Sequence, residues 1–129
     1  MKINRRFTVK GKSPYEGIPF TKRSSEIRNT NGSLVFEARD IDVPQHWSQV
    51  AVDILAQKYF RRAGVPKALK PIREDGVPQF LWCNTAADDN DLRTGAESDA
   101  RQVFDRLSGA WTYWGWKAGF FDSEDDASA

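Results

Sequence analysis
The groups able to do chemistry in this 129-residue chain are few and far apart. His46 is the single histidine and Cys83 the single cysteine, 37 positions away. A structural zinc or iron site needs about four such ligands at close spacing, so this pair does not make one. A serine–histidine triad would have to use His46, and no nucleophile pattern lies beside it. No G-x-G-x-x-G or G-x-x-x-x-G-K-[ST] string is present. Two acidic clusters, Asp88-Asp89-Asn90-Asp91 and Glu124-Asp125-Asp126, lack calcium-loop spacing and its terminal Glu, and read as solvated loops. Cys83 follows Trp82 and reads as a buried small apolar residue rather than a reactive thiol.

What stands out instead is aromatic. Three of the five tryptophans fall in Trp111-Thr112-Tyr113-Trp114-Gly115-Trp116, followed by Lys117-Ala118-Gly119-Phe120-Phe121. Trp111 and Trp114 fall on a helical apolar stripe and are expected in the core. Tyr113 and Trp116 fall off it. With Phe120 and Phe121 they are the residues expected at a contact with another domain. Base stacking would need basic groups beside exposed rings, and Lys117 is the only close cation.

These residues need elements to position them. Asp99 and Gln102 have capping-box spacing and start a helix, with Ser98 as the rival cap. Val103, Phe104, Leu107, Trp111, Trp114 and Ala118 form its stripe. Gly115 and Gly119 weaken its last turns by up to ~1 kcal/mol each. An earlier helix is expected over 47–63, with Trp47, Val50, Ala51, Ile54, Leu55 and Tyr59 as its stripe and Gly64-Val65-Pro66 as its stop. Residues 18–43 read as a hairpin turning at Asn29-Thr30-Asn31-Gly32 and ended by Pro44. Residues 1–17 read as a basic arm, with a short strand at Phe7-Thr8-Val9. A surface loop is expected at 84–96. Ser123, with the acids after it, looks like a helix start. The expectation is one domain over 1–129 of α+β class, mostly helical: an N-terminal β-hairpin, then two main amphipathic helices over 44–129.

Charge is split. Residues 1–73 carry 15 Lys+Arg against 6 Asp+Glu, and 74–129 carry 4 against 12. A basic half can attract nucleic acid. The plainer reading, preferred here, is solvated faces or attraction between the halves. No apolar run approaches the ~20 residues of a bilayer helix, and the N-terminus has no apolar signal stretch. A lone cysteine suits a reducing cytoplasm.

Several strings are specific enough to carry a resemblance. Trp47-Ser48-Gln49-Val50-Ala51, Ile54-Leu55-Ala56-Gln57-Lys58-Tyr59-Phe60-Arg61-Arg62-Ala63-Gly64-Val65-Pro66 and Ala100-Arg101-Gln102-Val103-Phe104-Asp105-Arg106-Leu107, with the aromatic run, resemble the N-terminal region of adenosylcobalamin-dependent (class II) ribonucleotide reductases. Arg5-Arg6-Phe7-Thr8, Ser13-Pro14-Tyr15-Glu16-Gly17-Ile18 and Ser25-Glu26-Ile27-Arg28-Asn29 fit as well. The resemblance implies a region preceding a ten-stranded α/β barrel. It places the thiyl-radical cysteine, the reducing cysteine pair and the cobalamin-binding residues further on, so it assigns no catalytic, cofactor or metal residue here. Adenosylcobalamin belongs to the parent family rather than to this chain. The stretch after Phe121-Asp122 continues in the family as a helix, which implies either a piece of a longer protein or a short stand-alone relative.

Three functions follow. The first is a non-catalytic accessory domain whose partner is the reductase barrel, in cis or in trans. The second is a nucleotide-sensing regulatory module. The third is a nucleic-acid module using Lys2, Arg5, Arg6, Lys10, Lys12, Lys22, Arg23 and Arg28, less favoured than solvated or mutually attracting charged halves.

Overall fold
The computed structural model describes residues 1–87 and 94–129. The acidic cluster at 88–91 and the middle of the 84–96 loop lie outside them. The chain divides into two compact units. One comprises Ile18–Lys67 and Arg93–Asp105; the other comprises Met1–Gly17, Ala68–Leu92 and Arg106–Ala129.

The first unit is built on a hairpin. β1 (Phe20–Arg28) pairs antiparallel with β2 (Leu34–Pro44). The turn is the expected one: Gly32 N–H donates to the Asn29 carbonyl at 2.8 Å, and Gly32 has φ +85°. The ladder slips between Arg23 and Ser25, where Arg39 and Asp40 oppose Ser24 alone. Asp40 takes φ 54°, the left-handed value such bulges need and one that Asp tolerates better than most residues.

A helix follows, α1 (Gln49–Ile54), started by Ser48, whose Oγ accepts the Ala51 N–H at 3.2 Å. It does not run to Ala63. Over Leu55–Tyr59 it loosens into a π turn, closed by Phe60 N–H on the Leu55 carbonyl, and then ends. The wider turn delays the inward-facing position by one residue, so Phe60 is buried and Tyr59 exposed. The covered face is Val52, Leu55 and Ala56, while Val50 and Ile54 of the expected stripe are exposed. Gly64 does take a positive φ, but after the helix has already stopped. β3 (Val65–Pro66) pairs with β6 (Thr94–Gly95). Ile41, Val43, Val52, Leu55, Ala56, Phe60, Val65, Ala100 and Val103 make this unit's core.

The second unit has β4 (Leu69–Pro71) paired with β5 (Asn84–Ala86), a 3₁₀ turn at Gln79–Leu81, most of α2 (Ala100–Lys117), and α3 (Glu124–Ala127). The α2 start follows the capping-box expectation. Gln102 Oε1 accepts the N–H groups of Ser98 and Asp99 at 2.8 and 3.0 Å, and Asp99 accepts that of Arg101 at 2.9 Å. Burial pushes the Asp99 carboxyl up, but the Arg101 guanidinium and N–H outweigh it and hold the group low. Ser123 caps α3 as its sequence suggests, its Oγ accepting the Asp126 N–H at 3.2 Å.

The mostly helical expectation is wrong. Strand and helix are nearly balanced, at about 25% and 29%, and there are three α-helices among the described residues. The class is α+β with the expected hairpin. The deficit comes from the π turn, which shortens the first helix, and from short strands at Val65–Pro66, Leu69–Pro71, Asn84–Ala86 and Thr94–Gly95. Two- and three-residue strands leave almost no alternation for a sequence reading to find. The arm at 1–17 forms no strand at Phe7-Thr8-Val9. Cys83 is exposed, not buried.

Candidate partner interface
The second unit has little apolar interior. Of the buried hydrophobic side chains among the described residues, only Val77 and Leu81 belong to it. Polar ties hold it together instead. Tyr113 Oη donates to Glu74 Oε2 at 2.8 Å, and Lys117 Nζ to Glu74 Oε1 at 2.6 Å. Lys117, then Tyr113, hold the Glu74 carboxyl below its usual range, while the bond to Glu74 raises the Tyr113 phenol. Trp116 Nε1 donates to the Gly76 carbonyl at 2.8 Å. The Phe121 ring lies against Gly115, where a Cβ would stand 2.8 Å from Phe121 Cε2. Glycine at 115 therefore makes room for the Phe121 ring; its part is close approach, not backbone dihedral.

The arm is fastened to α3. Ile3 N–H donates to Asp126 Oδ1 at 2.8 Å, Arg5 Nη1 to the Ser128 carbonyl at 3.0 Å, and Lys10 Nζ pairs with Asp125 at 2.6 Å. Met1 N donates to the Phe120 carbonyl and to Asp122 Oδ1. Ser123, then the Ile3 N–H, hold the buried Asp126 carboxyl below its usual range.

The sequence-derived contact residues are thus divided. Tyr113, Trp116 and Phe121 are half-buried and already bonded or packed within this unit, while Phe120 is 58% exposed. The two rings expected in the core are the ones in solvent: Trp111 is 64% and Trp114 62% exposed. That is a correction with a plain cause. Periodicity marks α2 faces but not which face is covered, and the groups that cover Tyr113 and Trp116 come from Glu74 and Gly76. Trp111 and Trp114 lie three positions apart, hence on one side of α2. Exposed large rings grouped this way are candidates for a contact surface. Sequence reasoning missed them; the available signal was that Tyr113 and Lys117, at i and i+4, can share one acid.

Among the described residues, no group of three or more His, Cys, Asp or Glu is placed to hold a metal ion. No helix among them is long and apolar enough to cross a membrane. His46 is exposed and lies outside the cleft beside β2 and the one at residues 7–17.

Comparison with known proteins places this α+β chain in a family. Residues 21–129 match the family described as class II vitamin B12-dependent ribonucleotide reductase. A vitamin B12-dependent ribonucleotide reductase of Agrobacterium fabrum is 57% identical over all of this chain, and one of Bradyrhizobium diazoefficiens 52%. One of Rhodopirellula baltica is 30% identical over 90% of the chain. The chain spans 11% of the length of the first two and 9% of the third. The chain belongs to the class II vitamin B12-dependent ribonucleotide reductase family, of which it is an N-terminal domain.

Proposed function
We propose that this domain is a non-catalytic accessory part of a cytoplasmic, vitamin B12-dependent ribonucleotide reductase, and that it packs against the remainder of that polypeptide. The contact is made by Trp111, Trp114 and Phe120. Tyr113, Trp116 and Phe121 set the helix and the following turn from behind. The observation that carries this reading is the exposure of two tryptophans on one helix side in a unit with two buried hydrophobic side chains among its described residues. Burying them against a partner would stabilise both, at roughly 25 cal/mol per Å² of apolar surface covered.

Vitamin B12 supplies radical chemistry in the relatives that depend on it. The one imidazole, His46, is on open surface and lines neither of those two clefts, so it lends no support to a place for that group in this domain. No step is assigned to this domain through it.

The basic first half does not favour nucleic acid. Lys10, Lys12, Lys22 and Arg28 already pair with Asp125, Glu16, Asp42 and Glu26. The test of the accessory reading is retention of this chain by the remainder of the Agrobacterium reductase. The Trp111→Ala, Trp114→Ala double variant should lose it; undiminished retention would remove the docking face.

A further inference from the structure
In the hairpin unit, β2 has β1 on one side only among the described residues. On its other side runs a cleft of about 420 Å³, lined by Val35, Phe36, Glu37, Ala38 and Arg39 in unbroken succession. Alternate side chains of a strand point to opposite faces. A cleft touching five consecutive residues therefore borders the strand's edge and its backbone N–H and C=O groups. At one end that edge is already used: Asp42 N–H donates to the Ser98 carbonyl at 2.8 Å, in a single parallel bridge. From Val35 to Arg39 it is open. An open edge of this length invites another strand: lysine and proline, two of the usual guards, are absent from 34–43, and the bulge at Arg39 and Asp40 bounds the open stretch at one end.

The charges specify what fits. Both acids on the cleft are neutralised within it. Glu97 accepts from Arg61 N–H and Nε, each at 2.9 Å, and Glu37 from Arg39 Nε at 2.6 Å. Arg62 has no acid. Its guanidinium lies 4.8 Å from the centre of the Phe36 ring, and one arm donates to the Gln57 carbonyl. The cleft thus offers an edge, an apolar wall with Ile41 and Phe60, and a surplus guanidinium.

We propose that the open edge of β2 receives an extended, acidic segment of the longer reductase polypeptide, which adds alongside Val35–Arg39 as a strand with a carboxylate at Arg62. This rests on the accessory-domain reading, which supplies the chain: about nine-tenths of the relatives' length lies outside the stretch matched here. Main-chain pairing would give affinity and the side pockets would give selectivity.

The test is amide NMR of this chain titrated with overlapping synthetic peptides that tile the rest of the Agrobacterium reductase. An acidic, non-helical peptide should shift the amides of Val35–Arg39 and Arg62. N-methylation of its alternate amides should abolish binding in one phase and spare it in the other. Arg62→Glu should weaken it about tenfold or more, with Arg62→Gln as the milder variant should the first not fold. No peptide acting at Val35–Arg39, equal binding of both N-methylated forms, or the same shifts on concentrating the chain alone would overturn the proposal. The last result would give the edge to a second copy. Loss of this binding with the Trp111–Trp114 contact intact removes the strand site alone; loss of both removes the accessory reading.

Discussion

The Phe121 ring occupies the space that a side chain at Gly115 would need, with Cε2 2.8 Å from the Cβ position. Two glycines of α2 should therefore respond oppositely to alanine. At Gly109 nothing lies within 4 Å of a new Cβ, so Gly109→Ala should stabilise by about 0.5–1 kcal/mol through helix propensity. Gly115→Ala has the same propensity gain but must displace the ring, and should gain nothing or lose stability. Paired thermal melts decide it; equal gains would mean the ring yields freely.

Trp111 and Trp114 should be dispensable to the isolated domain. Their double alanine variant should change unfolding free energy by less than about 0.5 kcal/mol per site, as at other open surface positions. Trp116→Phe, which removes the indole donor to Gly76, should cost about 1 kcal/mol. Urea titration followed by circular dichroism separates the two. A large loss from the Trp111–Trp114 pair would mean those rings support this chain and not a partner.

Asp126 sets an acid limit. Its carboxyl is held low in the folded state, first by Ser123 and then by the Ile3 N–H. The unfolded chain therefore binds the proton more readily. The stability it contributes is complete above the ordinary aspartate value, about pH 4, and is lost as pH falls through the lower folded value. Asp126→Asn should be less stable at pH 7 and flatter between pH 5 and 3. An unaltered slope in urea melts across that range would contradict the assignment.

Glu97 is almost fully buried and accepts both Arg61 bonds. Glu97→Ala would strand the Arg61 backbone N–H and should cost about 1–3 kcal/mol. Glu97→Gln keeps an acceptor and should cost less. If the two variants melt alike in chemical denaturation, the N–H bond is not what Glu97 provides.

The parts legible in the sequence are those governed by local chemistry. The Asn29–Gly32 turn, the Gln102 reach-back onto Asp99 and the Ser123 cap each depend on residues within four positions of one another. The parts that were not legible depend on distant chain. Val103 and Trp114 lie eleven positions apart, about 20° from the same helix face at 100° per residue. Yet one is buried and the other exposed. Nothing local distinguishes them: Val103 belongs to the core of the hairpin unit, whereas at Trp114 it is the opposite side of α2 that Glu74 and Gly76, about forty residues upstream, hold. The π turn was equally hidden, since Tyr59 and Phe60 are both aromatic and either could have pointed inward. Of the aromatic run, the sequence marked the stretch of helix but not its open side: Trp111 and Trp114, expected in the core, are exposed.

The bond from Ile3 to Asp126 joins residues 123 positions apart. On the ribosome that separation becomes a delay. At about 5–20 residues per second, roughly 6–25 s pass between synthesis of the arm and synthesis of α3, to which it fastens. Through that interval Ile3, Arg5 and Lys10 lack the α3 groups that fasten them, while the hairpin and its core residues up to Val65 are already made. The hairpin unit can begin to fold as it is translated. The other unit cannot close until its last stretch emerges, so a nascent chain should be most open to proteases and chaperones at its arm.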